Sequence, residues 1–304
     1  MELKVKIGGR TLPGPVGVAS GTFGYGSEYE QLTDFSAIGA IYTKAVTLEP
    51  RPGNDIPRIV ETPAGILNSI GLANVGVKRF ISEKMPYLAT LPCAVIANVS
   101  GASEEDYLRV LGELEACERL FGYEINVSCP NVKQGCMAFG TDPAMVEKLT
   151  TSLRRETTRP LILKLSPNVT DIATIAKAAE AGGADAISCI NTLVGMVIDT
   201  RTGRPVLPAG TGGLSGPAIR PVGVAMTRKG RRAVSLPVIG MGGIMNLDDA
   251  LQYLLAGASA VQVGTGIFVD PSIPARIHEG LLAWCQERAI SDPGKIHTHF
   301  HPGS

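Results

Sequence analysis

Eight short apolar runs, spaced so that a helix can follow nearly every one, constrain this 304-residue chain more than any other feature. They occupy residues 15–20, 40–45, 93–99, 123–127, 161–166, 186–192, 238–243 and 260–265. Parallel strands buried on both faces lose the alternation of a half-exposed sheet and read as nearly continuous apolar segments. Eight of them with helices between predict an α/β protein, a (β/α)8 TIM barrel, with a doubly wound open sheet as the alternative. The segments near 28–38 and 75–87 read as helical, Ser103 and Asp142 read as N-caps, and Asp171 opens an Ala-rich helix. Residues 193–216 form a polar, Gly-rich insertion, with 200–204 reading as a hairpin turn. No linker-like composition divides the chain. Residues 1–291 are therefore one domain with loop insertions at the C-terminal face of the strands, and 292–304, carrying His297, His299 and His301, are expected to be a disordered tail.

Charge and cysteine content narrow the function. Lys+Arg and Asp+Glu both number 28, so the basic excess of a nucleic-acid binder is missing. No apolar run approaches the length of a membrane span, and the charged, alternating start is no signal peptide, so a cytoplasmic protein is expected. The six cysteines form no CxxC pair, which suggests neither zinc nor an iron–sulfur cluster within the chain; no metal site is expected.

In such a barrel the C-terminal strand ends face the active site. In chain order those ends carry Ser20, Lys44, Asn98, Asn126, Lys164, Asn191 with Thr192, Gly242 with Gly243, and Gly264 with Thr265. Polar groups ending apolar strands are costly unless partnered, so together they describe a ligand-binding mouth. The glycines after the last two strands fall where such barrels bind phosphate. Asparagine amides both donate and accept, which suits a ring of alternating C=O and N–H groups. The fourth run ends in Asn126-Val127-Ser128-Cys129-Pro130-Asn131, placing a thiol at the mouth, where a thiolate can serve as base or nucleophile. This inventory allows a flavoenzyme, or a sugar-phosphate isomerase or lyase that uses lysine and no redox cofactor.

The segments Ala19-Ser20-Gly21-Thr22-Phe23-Gly24, Thr43-Lys44-Ala45-Val46-Thr47, Asn68-Ser69-Ile70-Gly71-Leu72 and Asn126-Val127-Ser128-Cys129-Pro130-Asn131 resemble dihydroorotate dehydrogenase. So do Leu163-Lys164-Leu165-Ser166-Pro167, Ile190-Asn191-Thr192, Gly240-Met241-Gly242-Gly243-Ile244 and Val263-Gly264-Thr265, in order over nearly the whole chain. The pattern is most similar to the catalytic subunit of the NAD-linked class 1B form. Class 1A homodimers using fumarate and dihydropyrimidine dehydrogenase-like flavoenzymes are the related alternatives.

The resemblance implies oxidation of (S)-dihydroorotate to orotate in pyrimidine (UMP) biosynthesis, with FMN bound in residues 1–291. Cys129 would remove the C5 proton while a hydride passes from C6 to the flavin; a serine in that place would indicate the membrane-associated class 2. Lys44 would serve both flavin and substrate, as would Asn126. Asn68, Ser69, Ile70, Gly71, Leu72, Asn191 and Thr192 are assigned to the substrate. Ser20, Ala45, Asn98, Lys164, Ile190 and Gly216 are assigned to FMN, with Gly242, Gly243, Gly264 and Thr265 around its phosphate. Electrons would leave to NAD+ through a partner subunit carrying FAD and a [2Fe-2S] cluster, in a heterotetramer around a catalytic homodimer. One departure from the pattern is Gly135-Cys136 where Gly-Gly is expected; Cys136 is read as a spectator, because Cys129 sits at the strand end and Cys136 does not.

Overall fold

In a computed structural model of the chain, which describes residues 3–127, 139–290 and 292–301, the eight apolar runs close into a parallel barrel. Its strands are β1 (Val16–Val18), β2 (Ala40–Tyr42), β3 (Ala94–Val99), β4 (Leu120–Asn126), β5 (Leu161–Leu165), β6 (Ala186–Cys189), β7 (Val238–Met241) and β8 (Ala260–Val263). Neighbours in sequence are neighbours in space, and β8 returns to β1 with Val263 opposite Val18. The open-sheet alternative is thereby set aside.

Strand alternation divides the molecule into two apolar compartments. Inward-facing Ala40, Ala94, Ile96, Ile162, Ala186, Ile239 and Ala260 fill the lower barrel. The N-terminal hairpin, Val5–Ile7 paired with Arg10–Leu12, seals that end with Val5, Ile7 and Leu12. Arg10 fixes the hairpin by donating to the carbonyls of Leu120 and Phe121 at the start of β4, at 2.9 and 3.0 Å. Outward-facing residues such as Val95, Ile125, Leu163 and Ile187 pack against the surrounding helices.

Those helices begin where side-chain caps permit. Ser103 accepts from the Asp106 amide before Glu104–Leu114, Asp142 from Ala144 before Pro143–Glu156, and Asp171 from Ala173 before Ile172–Ala181. Arg220–Ala233, Leu247–Leu255 and Ile273–Glu287 complete the main ring. The expected turn at 200–204 joins Ile198–Asp199 to Arg204–Pro205, an antiparallel pair.

Two expectations differ. The segment near 28–38 holds only the 3-10 turns Ser27–Tyr29 and Phe35–Ala37. Asp34 takes both the amide and the hydroxyl of Ser36, at 2.8 and 2.9 Å, offering the backbone a local alternative to a continuous helix. The tail is also more ordered than its composition suggests, since Pro293–His299 forms a 3-10 helix capped by Asp292. Ile296 supplies the reason: it is fully buried against the Leu247–Leu255 side of the barrel, while the Arg228 guanidinium lies 4.5 Å from the Phe300 ring. No helix among the described residues is long and apolar enough to cross a membrane.

Candidate active site

Above the apolar plug, the inward positions turn polar. Tyr42, Asn98, Glu124, Lys164, Ser188 and Gln262 are all buried within the upper barrel. A cleft of about 1220 Å³, including space open to solvent, lies over them at the C-terminal strand ends. A small antiparallel sheet borders it, with strands in the order Leu193–Gly195, Gly212–Ser215, Gly65–Asn68 and Ile59–Thr62. Ile59, Ile66, Asn68 and Ser215 face the cleft from that sheet.

The floor is held by one carboxylate. Glu124 Oε1 accepts from Asn98 Nδ2 at 2.7 Å and lies 3.5 Å from Lys164 Nζ. Its Oε2 accepts from Ser188 Oγ and Gln262 Nε2, both at 2.9 Å. Lys164 Nζ also donates to Ser20 Oγ at 3.0 Å, which carries the ammonium from the barrel interior to the cleft. With its amide N–H committed to Glu124, Asn98 is left with Oδ1, a buried acceptor that has no partner among the described residues. Burial, reinforced by the Glu124 charge, raises the Tyr42 phenol well above its ordinary range, so it stays protonated.

One wall is a row of amides. Asn191 Nδ2 donates to Asn126 Oδ1 at 3.3 Å, and Asn191 Oδ1 accepts from the Thr192 amide at 2.8 Å. Asn126 is fixed further by Tyr107, whose hydroxyl donates to its carbonyl at 2.8 Å. Asn68 donates to the Gly213 carbonyl at 3.1 Å, tying the loop after β2 to the insertion. Lys44 follows β2 by two residues and lines the cleft. Desolvation lowers its pKa, opposed by the charge of Glu28 and assisted by Arg58.

The opposite end is stripped of side chains. Gly216, Gly242 and Gly243 all have positive φ, and a Cβ on Gly243 would come within 2.7 Å of the Gly216 carbonyl oxygen. Gly264 and Thr265 follow β8, and Thr265 Oγ1 donates to Ser215 Oγ at 2.8 Å. Such a bare rim lets backbone N–H groups approach an anion.

Of the site residues expected from sequence, all described ones except Ser69 line this single cleft, including Ala45, Ile70, Gly71, Leu72 and Ile190. Ser69 is buried behind it; its Oγ accepts from Asn54 Nδ2 at 2.8 Å and its amide donates to Arg58. It braces the 70–72 loop and does not face the cleft. Cys129 and Cys136 lie outside the described residues; the chain leaves β4 at Val127, two positions before Cys129. Sequence reasoning missed Glu124, Ser188 and Gln262. The period-two rule offered a signal, because Glu124 and Asn126 must share a strand face.

The arrangement suits a planar polar ring with a phosphate tail, packed beside a second small polar molecule. The family model described as dihydroorotate dehydrogenase matches residues 2–284. The chain is 51% identical over 290 residues to the "Dihydroorotate dehydrogenase B (NAD(+)), catalytic subunit" of Pelobacter propionicus, covering 95% of each. Proteins of the same description from Trichlorobacter lovleyi and Listeria monocytogenes are 52% and 47% identical, again over 95% of each chain. In architecture it is similar to the crystal structure of DHODH from Eimeria tenella in complex with ferulenol, with a TM-score of 0.80. That likeness spans 98% of this chain and 87% of the other at 22% identity, and it bears on the fold alone.

Proposed function

The chain belongs to the dihydroorotate dehydrogenase family, and from that premise we propose that it oxidises dihydroorotate to orotate for pyrimidine biosynthesis, as an NAD+-linked catalytic subunit. The observation that carries the reading is the convergence on one cleft of residues drawn from every barrel strand or the loop after it. The names of the relatives support NAD+ as acceptor and a partner for the catalytic subunit; on this reading the partner bears FAD and a [2Fe-2S] cluster. A heterotetramer built on a catalytic homodimer is the assembly this reading entails.

Two features fit FMN as the resident cofactor. Asn98 Oδ1 is a buried acceptor awaiting a donor such as a ring N–H. The positive-φ glycines leave a rim that a phosphate can approach and side chains would fill. When bound, FMN supplies the acceptor for the hydride that leaves C6 of the substrate.

The chain's own residues do the rest. Lys164, Asn98 and Ser20 hold the polar edge of the cofactor from the floor, and Gly242, Gly243, Gly264 and Thr265 hold its phosphate. Asn68, Asn126, Asn191 and Thr192 read the C=O and N–H groups of the substrate ring. Lys44 meets the carboxylate, which separates dihydroorotate from uncharged dihydropyrimidines. Cys129, three residues after β4 in the sequence, takes the C5 proton as thiolate.

An anaerobic visible spectrum tests this. The purified chain is expected to carry a flavin band that bleaches on adding dihydroorotate. A flavin band that persists points to another pyrimidine, and a folded chain that holds no flavin returns the reading to a non-redox barrel.

A further inference from the structure

We propose that Glu124 is a positioning residue for the flavin, the buried counter-charge that aims Lys164 and Asn98 at the cleft and sets how strongly the site favours reduced FMN. The inference rests on the function proposed above and concerns the control of its cofactor.

Four donors from four different strands converge on this fully buried carboxylate: Asn98 of β3, Lys164 of β5, Ser188 of β6 and Gln262 of β8. A buried ion pair is expensive to assemble, and hydrophobic replacement is often neutral or stabilising, so stability alone is a weak reason for a carboxylate there. Its position gives a better one. Lys164 Nζ is held between Glu124 at 3.5 Å and Ser20 Oγ at 3.0 Å, at the boundary between barrel interior and cleft.

A carboxylate only accepts hydrogen bonds, so Asn98 must turn its N–H toward Glu124. The buried Oδ1 is then the atom left for a ligand, and it has no other partner among the described residues. The floor therefore offers one acceptor and one cation. A glutamine at 124 would accept and donate, leaving Asn98 free to reverse and present a donor instead.

The charge acts in the same place. Two-electron reduction makes the flavin more negative, which the Lys164 cation favours. Glu124 opposes it by pairing with that ammonium at 3.5 Å, so its effect on the flavin passes through Lys164. Neutralising Glu124 should shift the bound flavin toward the reduced form.

The test is a potentiometric titration of the FMN-loaded full chain against Glu124→Gln, Lys164→Met and the double variant. Glu124→Gln is expected to favour reduced over oxidised FMN by about tenfold more than the parent, read as a positive shift of about 30 mV. In the Lys164→Met background the same change should move the potential by less than a third of that. Equal shifts in both backgrounds, or none in either, overturn the proposal, because a packing role needs no coupling to the lysine. If Glu124→Gln does not fold, recovery of a folded, FMN-binding double variant supports the pairing. If neither folds, Glu124→Asp decides: it keeps the charge but withdraws it from Lys164, so a positive shift supports the proposal and an unchanged potential sinks it. Should the parent chain bind no FMN, the functional reading fails instead.

Discussion

On the proposed function, Lys44 recognises the substrate and Cys129 deprotonates it, and the two titrations run in opposite directions. The thiol must ionise to accept a proton, so turnover should climb toward its pKa, about 8.5 when unperturbed. Lys44 must stay charged to hold a carboxylate, and burial depresses its pKa below the ordinary 10.5. As pH rises through that lowered value the ammonium is lost and affinity falls. The stability sign is separate: the unfolded chain keeps the proton up to 10.5, so folding is favoured as pH rises between the two values. The expected kcat/KM profile is a bell whose alkaline limb belongs to Lys44. In Lys44→Met the alkaline limb should vanish and KM should rise by about tenfold or more, given roughly 1.5–3 kcal/mol for a hydrogen bond to a charged group. An alkaline limb that survives in the variant removes Lys44 from carboxylate binding.

The two strand-to-helix turns at the glycine rim look alike in sequence and differ in what they tolerate. Gly243 has φ +68, and a Cβ there meets backbone atoms of Gly216 and Arg220 within 2.7–3.1 Å. Gly264 has ordinary φ, and its nearest Cβ contacts are Ala19 at 3.6 Å and Thr22 at 3.9 Å, both cleft residues. Gly243→Ala should therefore destabilise the fold by about 1–3 kcal/mol in urea unfolding. Gly264→Ala should leave the unfolding midpoint near that of the parent while weakening FMN binding, measured by fluorescence, at least tenfold. Destabilisation by both, with FMN affinity intact, would make the rim purely structural. The contrast also marks what the sequence made legible. Strand ends could be read because buried parallel strands announce themselves as apolar runs, and the cleft residues lie at those ends. The convergence on Glu124 could not, since its partners Asn98, Ser188 and Gln262 stand 26, 64 and 138 residues away and only barrel closure joins them. The burial of Ser69 behind the cleft was hidden for a related reason: motif adjacency to Asn68 and Ile70 says nothing about which way a loop side chain turns. The ordered 293–299 segment was hidden because a single isoleucine carries its burial, too little to register in a polar tail.

Across the whole molecule, the barrel axis separates stability from chemistry. The lower interior is apolar and sealed by the hairpin, the upper interior is a polar network, and the cleft sits above both. Barrels with active sites at the C-terminal strand ends can vary their chemistry there while the opposite end maintains the fold. Leu12 tests the separation, because it is 1% exposed and belongs to the hairpin plug that seals the lower end of the barrel. Leu12→Ala should lower the unfolding free energy by about 2–5 kcal/mol through lost burial and a residual cavity. The flavin potential and the KM for dihydroorotate of the folded variant should match the parent, because the polar layer rests on inter-strand hydrogen bonds that the closed barrel fixes independently of the plug. A Leu12 variant with a displaced potential would mean that the two halves are mechanically coupled, and that loosening the plug reaches Glu124 through the apolar layer between them.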